Sequence, residues 1–136
     1  MDHTTLNPYL NFGGNAREAM EFYHGIFGGK LDIQTFGQTP GMDVPAGYED
    51  KVLHAHLKFG QVIIMASETQ PGTQPVVGNN VHLSLNGQDK EVITQWFNAL
   101  AEGGKVDMPL AEQFWGDTFG MLTDKFGIHW MANIEK

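Results

Sequence analysis

Six histidines and no cysteine define the side-chain chemistry open to this chain. An imidazole ordinarily titrates at about pH 6.5, so it can give or take a proton near neutrality, and it is a common metal ligand. His54 and His56 stand two apart in the run Val52-Leu53-His54-Ala55-His56-Leu57-Lys58-Phe59. In a strand that spacing puts both rings on one face. His82 and His129 fall in two further alternating runs, 80–85 and 128–134, and Tyr9 falls in a fourth, 6–12, with Asn7 and Asn11. His3 and His24 lie outside these runs and read as surface residues. The absence of cysteine excludes disulfides, thiolate metal sites and cysteine nucleophiles, and it fits a reducing cytoplasm.

The elements that would hold these residues come in a repeated order. Residues 6–12 read as a strand ended by Gly13-Gly14. Asn15 is the expected N-cap of a helix over 16–27, where Ala19, Phe22, Tyr23, Ile26 and Phe27 recur at helical spacing. Gly28-Gly29 stops it. Residues 30–36, 52–59 and 61–67 read as strands, with a Pro- and Gly-bearing loop over 38–50. A linker over about 69–78 follows. The order then repeats: strand 80–85, helix 89–102 with Val92, Ile93, Trp96, Phe97 and Leu100 on one face, Gly103-Gly104, and strands 105–111, 119–123 and 128–134. Two strings recur in step with this pattern. Gly28-Gly29-Lys30-Leu31-Asp32 returns as Gly103-Gly104-Lys105-Val106-Asp107, and Lys58-Phe59-Gly60 returns as Lys125-Phe126-Gly127. The expectation is one α+β domain over 1–136, with module one at about 1–68 and module two at about 79–136. A half of about 65 residues is marginal alone, so the halves are expected to pack together. An unrelated α+β sandwich with accidental internal similarity is the alternative.

Charge narrows the partners. The net charge is -8 with only 8 Lys plus Arg and no basic cluster, which argues against nucleic acid and anionic membranes. No apolar run reaches the length of a membrane span. Met1 to Thr5 has neither a basic nor an apolar region, so no secretion signal is expected. The expected location is the cytoplasm.

Two end motifs carry a family resemblance. The stretch Asn7-Pro8-Tyr9-Leu10-Asn11-Phe12-Gly13-Gly14-Asn15-Ala16-Arg17-Glu18-Ala19-Met20-Glu21-Phe22-Tyr23 resembles the opening of PhnB-like proteins. So does Phe114-Trp115-Gly116 followed by Asp124-Lys125-Phe126-Gly127-Ile128-His129-Trp130-Met131. These proteins form a branch of the glyoxalase/bleomycin-resistance/extradiol dioxygenase, or vicinal oxygen chelate, superfamily. The resemblance implies paired βαβββ modules whose mixed sheets curve around a cavity away from the helices, usually in a homodimer. It also implies, for many enzymes of the superfamily, one metal held from the first and last strands of each module, acting as a Lewis acid on a substrate oxygen. Carried over by count, those ligand positions fall on Asn7, Ile64, Asn80 and Met131, the repeated Lys-Phe-Gly string making Ile64 and Met131 equivalent. An aliphatic side chain, a thioether and two amides are poor ligands for a hard divalent ion, so neither that metal nor another cofactor is expected. Some relatives bear a demethylubiquinone methyltransferase label; nothing in this chain looks like a methyl-donor site.

With Asn7 placed inward by that resemblance, alternation sorts the rest. Tyr9 and Asn11 join Asn7, opposite Pro8, Leu10 and Phe12. Val52, His54, His56 and Lys58 face inward, opposite Leu53, Ala55, Leu57 and Phe59. Asn80, His82 and Ser84 oppose Val81, Leu83 and Leu85. His129, Met131 and Asn133 oppose Trp130, Ala132 and Ile134. The same alternation marks any half-exposed sheet, whose histidines would simply meet solvent. On the cavity reading, His54, His56, His82 and His129 are the candidate acid-base groups. Asn7, Tyr9, Asn11, Asn80, Ser84, Trp115, Met131 and Asn133 are the candidate ligand contacts. Three activities are open: acid-base catalysis on a small molecule, an off-pattern metal held by two or three histidines, or sequestration of a ligand without turnover. A purely structural dimerisation module is the reading of a different class. Phe114-Trp115 is either an aromatic lid or a dimer contact. Glu112 and Asp117 beside it read as solvated loop acids.

Overall fold

Each half of the chain lays one amphipathic helix on one face of a four-stranded mixed sheet. The computed structural model describes residues 3–41 and 43–136. Met1 and Asp2, which open the stretch read as lacking a secretion signal, and Met42 of the 38–50 loop lie outside the described residues. The order is β1 (Tyr9–Phe12), α1 (Ala16–Phe27), β2 (Lys30–Thr35), a 3-10 turn, β3 (Val52–Phe59) and β4 (Val62–Glu68). Then come β5 (Leu83–Gly87), α2 (Lys90–Ala101), β6 (Lys105–Glu112), β7 (Thr118–Thr123) and β8 (His129–Ile134). The sheets run β1-β4-β3-β2 and β5-β8-β7-β6, with β1∥β4 and β5∥β8 parallel and every other pair antiparallel. This is the α+β, twice-βαβββ arrangement expected from the sequence. The boundary between the two compact units falls at Val76/Val77.

The helices form where apolar spacing has period 3.6 and stop at Gly pairs. α1 buries Ala16, Ala19, Met20, Tyr23 and Phe27 against β3, β2 and β4. Phe27 stacks on Phe59 of β3, with centroids 4.4 Å apart and planes 3° off parallel. Such a pair adds about 0.5–1.5 kcal/mol beyond area burial. α2 buries Ile93, Phe97 and Leu100. Gly29 and Gly104 let β2 and β6 start hard against the neighbouring strand. A Cβ on Gly29 would strike the Lys58 carbonyl oxygen, and one on Gly104 would strike that of Thr123. The repeated Gly-Gly string is therefore a structural repeat.

The helix starts differ from each other. Asp89 caps α2 by accepting from the Val92 N–H at 3.2 Å. Asn15 holds the N-cap position of α1 but its side chain makes no capping bond. The buried Glu68, at the end of β4, accepts instead from the Gly14 and Ala16 N–H groups at 3.0 and 3.1 Å. His24, read as a surface residue, is half-buried on the outside of α1 and bonded to the Gly29 carbonyl at 3.1 Å.

The strands need three corrections. First, Val52 is fully buried while Leu53 is half-exposed, the reverse of the alternation expected. Gln34 pairs with His54 but Thr35 with Val52, so a bulge at Leu53 breaks the period of two. Second, β5 starts at Leu83 rather than Asn80, because its parallel partner β8 begins only at His129. Asn80 and Val81 are exposed outside the strand. Third, the Lys-Phe-Gly strings do not superpose. Lys58-Phe59 ends β3, and a tight turn at Gly60-Gln61 leads to Val62. Lys125-Phe126-Gly127 lies in a wider loop between the paired Thr123 and His129. Asp124 builds that loop by accepting from the Phe126 and Ile128 N–H groups at 2.8 and 3.0 Å.

Candidate functional site

The sheet faces turned away from the helices carry the polar residues. In the first unit, Tyr9 of β1 pairs with Met65 of β4, which pairs with His56 of β3, which pairs with Asp32 of β2. The next row along holds Asn11, Ser67, His54 and Gln34. Tyr9 and His54 meet across the two rows: the phenol oxygen lies 3.0 Å from His54 Nδ1. The His54 and His56 rings are 6.5 Å apart, and the Ser67 hydroxyl donates to Asn11 Oδ1 at 3.3 Å. His54, His56 and Met65 are half-buried, and Tyr9 is more open. Asn7 precedes the strand and its amide donates to Thr5 Oγ1 at 2.8 Å.

In the second unit the open face carries His129, Met131 and Asn133 of β8, Ser84 of β5, and Phe119, Met121 and Thr123 of β7. His82 stands two residues before Ser84, and its ring lies 5.3 Å from that of His129. Both nitrogens of His129 are engaged: Nδ1 with the Thr123 hydroxyl at 3.0 Å, Nε2 with the Gly78 carbonyl at 2.9 Å. Thr123 in turn donates to Asp107 Oδ2 at 2.7 Å. His129 is thus a ring fixed at both ends, a poorer candidate for proton transfer than His54. The Ser84 hydroxyl is taken up by Asn86 Oδ1 at 3.0 Å.

The hairpin tip after β6 is pinned by an acid that read as merely solvated. Asp117 accepts from Asn133 Nδ2 at 2.9 Å and from the Lys136 N–H at 3.1 Å. The Asn133 amide and then the Lys136 backbone hold its carboxyl below the usual carboxylate range, against an opposing effect of burial and with the least contribution from the Trp115 indole. A depressed carboxylate contributes stability that is complete above its unfolded value of about 3.9 and is lost as pH falls through the folded value. The stability gap between the wild type and Asp117→Asn is therefore expected to be steady from neutrality to about pH 5 and to close below about pH 4. Melting curves from pH 7 down to 2.5 check this; parallel curves throughout would refute it. Trp115 packs edge-on against Phe114 at 5.0 Å, and Phe114 is 98% exposed.

The strand pairings revise the positions at which metal-dependent relatives hold their ion. Met65 lies between Tyr9 and His56 as Met131 lies between Ser84 and Met121. Met65, not Ile64, is therefore the counterpart of Met131. Ile64 is 2% exposed and points into the core. By the same pairing Tyr9 matches Ser84, so Asn7 matches His82 rather than Asn80. The set Asn7, Met65, His82 and Met131 contains one imidazole, one amide and two thioethers, which does not fit a hard divalent ion. Among the described residues no group of three or more His, Asp or Glu side chains is close enough together to hold a metal. Residues that alternation had not singled out, Met65, Ser67, Met121, Thr123 and Asp107, stand beside the predicted ones. Sorting β7 by face would have found Met121 and Thr123.

A twice-repeated βαβββ unit with a helix on one sheet face and a polar opposite face is the glyoxalase-like fold. The chain belongs to the Glyoxalase/Bleomycin resistance protein/Dioxygenase superfamily, whose family model matches residues 2–132. It is similar to protein YjdN of Escherichia coli (strain K12), 33% identical over 96% of this chain and 95% of that one. The crystal structure of PA1353 from Pseudomonas aeruginosa is similar at a TM-score of 0.86 and 44% identity, covering 97% of this chain and 98% of that one. A PhnB protein from Bacillus cereus, provisionally described as a 3-demethylubiquinone-9 3-methyltransferase, is similar at 0.77 and 26%, covering 96% and 99%. The PhnB-like resemblance of the two end motifs agrees with these neighbours. Among the described residues no helix is long and apolar enough to cross a membrane.

Proposed function

We propose that this PhnB-like protein binds a small organic molecule, an apolar body with a polar head, on an open sheet face. The Tyr9–His54 pair is its acid-base centre, and the four-ligand metal of metal-dependent relatives is not used. The observation that carries this reading is the 3.0 Å contact between the exposed Tyr9 and the half-buried His54 on the open polar face. A phenol bonded to an imidazole can pass a proton to or from a bound group, and His56, Asn7 and Asn11 supply neighbouring polar contacts. In the second unit His82, Ser84, Met131 and Asn133 offer the corresponding face, with Asn80 and Trp115 at its margins and His129 in a positioning role. The two units act as one domain in a cytoplasmic homodimer, with Phe114 a candidate contact; light scattering on the untagged chain reports the dimer.

A screen of small apolar compounds bearing a polar head is expected to raise the melting temperature. A ligand at 100 times its Kd adds about 2.7 kcal/mol. Turnover of a hit, followed by NMR, is expected to vary between about pH 5 and 8. It should fall by about 10²–10⁴-fold in Tyr9→Phe and His54→Asn with affinity retained. A flat profile, or full turnover in both variants, counts against the acid-base role. Sequestration is the second reading, favoured by the bonding of His129 at both nitrogens; tight binding by the wild type with no turnover selects it.

A further inference from the structure

Methionines line up across the second unit's sheet. Met131 of β8 pairs directly with Met121 of β7, and Met121 pairs with Met108 of β6. Met108 lies between two register shifts of β6, so its pairing with Met121 is bulged. Met121 and Met131, in regular antiparallel register, share a face with Cβ atoms about 4.5–5.5 Å apart. That face is the one turned from α2. Met131 alternates with the buried Trp130 and Ala132, and Met121 with the buried Gly120 and Leu122. Core filling does not account for the row, since Met108 is 42% exposed and the other two are half-buried.

We infer that this row is a site for a soft monovalent cation, Cu(I) or Ag(I), held by the thioethers of Met108, Met121 and Met131. Thioether sulfur selects soft ions and ignores hard ones, and it needs no deprotonation to bind. The side chain is long and unbranched, so three of them from adjacent strands can turn their sulfurs toward one point. The half-exposed Met108, on the edge strand, leaves an entry path. An imidazole stands one row away: His82, two residues before the partner of Met131, makes no hydrogen bond through its ring among the described residues. It serves as an additional soft-compatible donor. The net charge of -8 favours the approach of any cation. This site is independent of the Tyr9–His54 pair, which lies on the other sheet.

The test titrates Ag(I), as its nitrate in chloride-free buffer, into the untagged full-length chain, followed by calorimetry and by NMR of methyl-13C methionine. One equivalent is expected to bind, moving the methyl signals of Met108, Met121 and Met131 while those of Met20 and Met65 stay in place. Zn(II) should move none of them. Met121→Leu/Met131→Leu is expected to bind at least about tenfold more weakly, having lost two of three sulfur donors. Its melting temperature should stay within about 5 °C of the wild type, because Leu and Met are close in volume. Anaerobic competition with bicinchoninate extends the measurement to Cu(I). Stationary methyl signals in the wild type, or undiminished Ag(I) affinity in the folded double variant, would overturn the inference. If the double variant fails to fold, the wild-type methyl shifts decide alone.

Discussion

Asp124→Ala is expected to lower the melting temperature by roughly 10–15 °C, the equivalent of about 4 kcal/mol in a chain of this size. The carboxylate is 3% exposed and ties together three N–H groups. Oδ1 accepts from Phe126 and Ile128, and Oδ2 accepts from Trp130 Nε1 at 2.9 Å. Alanine leaves buried or half-buried donors without that acceptor, and each orphaned group costs about 1–3 kcal/mol. Asp124→Asn should recover only part of the loss. It can keep one oxygen for the loop amides, but it then turns an amide NH₂ toward the indole N–H. Trp130→Phe removes a donor from the same carboxylate. The double change should therefore cost less than the two single losses combined, by about 1–3 kcal/mol. Calorimetry on the four proteins decides; strict additivity would mean that Asp124 and Trp130 act separately.

Glu68→Ala is the second large expected effect, about 2–3 kcal/mol read from the urea midpoint. Glu68 joins the end of β4 to the start of α1, where the first N–H groups of a helix have no partner inside it. A carboxylate there also meets the positive end of the helix dipole. Glu68→Gln keeps an oxygen facing the Gly14 and Ala16 amides and gives up only the charge, so it should cost less than about 1 kcal/mol. Equal losses in the Ala and Gln variants would show that charge, not the pair of hydrogen bonds, matters. Amide exchange at Ala16 should quicken in the Ala variant, because the opened group is the one that Glu68 covers.

The parts of the fold that follow from local pattern are visible in the sequence. α1 has the limits that helical spacing and Gly28-Gly29 predict, and α2 differs by a residue at each end. β3 matches its predicted range in full. His54 and His56 share a face by alternation, and Tyr9 joins them once the resemblance places Asn7, because a strand with one covered face repeats every two residues. That logic fails wherever a residue is inserted. The bulge at Leu53 reverses Val52, and the wider loop at Asp124 shifts the second Lys-Phe-Gly string. A count made from that string lands on Ile64, one residue from Met65, and one residue is enough to turn a side chain from the open face into the core.

The sequence by itself determined the α+β class, the twice-repeated order of elements, the helix limits and, through its two end motifs, the family. It also determined the chemistry that is absent, since no cysteine can act as ligand or nucleophile. Only the tertiary structure decided which side chains meet. The contact of Tyr9 with His54 spans 45 positions, and the bond from His129 to Gly78 spans 51. Glu68 in place of Asn15 at the start of α1, and Asp117 as an anchored rather than a solvated acid, are decided in the same way. Local periodicity is set by the backbone and can be read residue by residue. Strand register, loop width and the partners of polar groups are set by packing between distant segments, and no short window of sequence contains them.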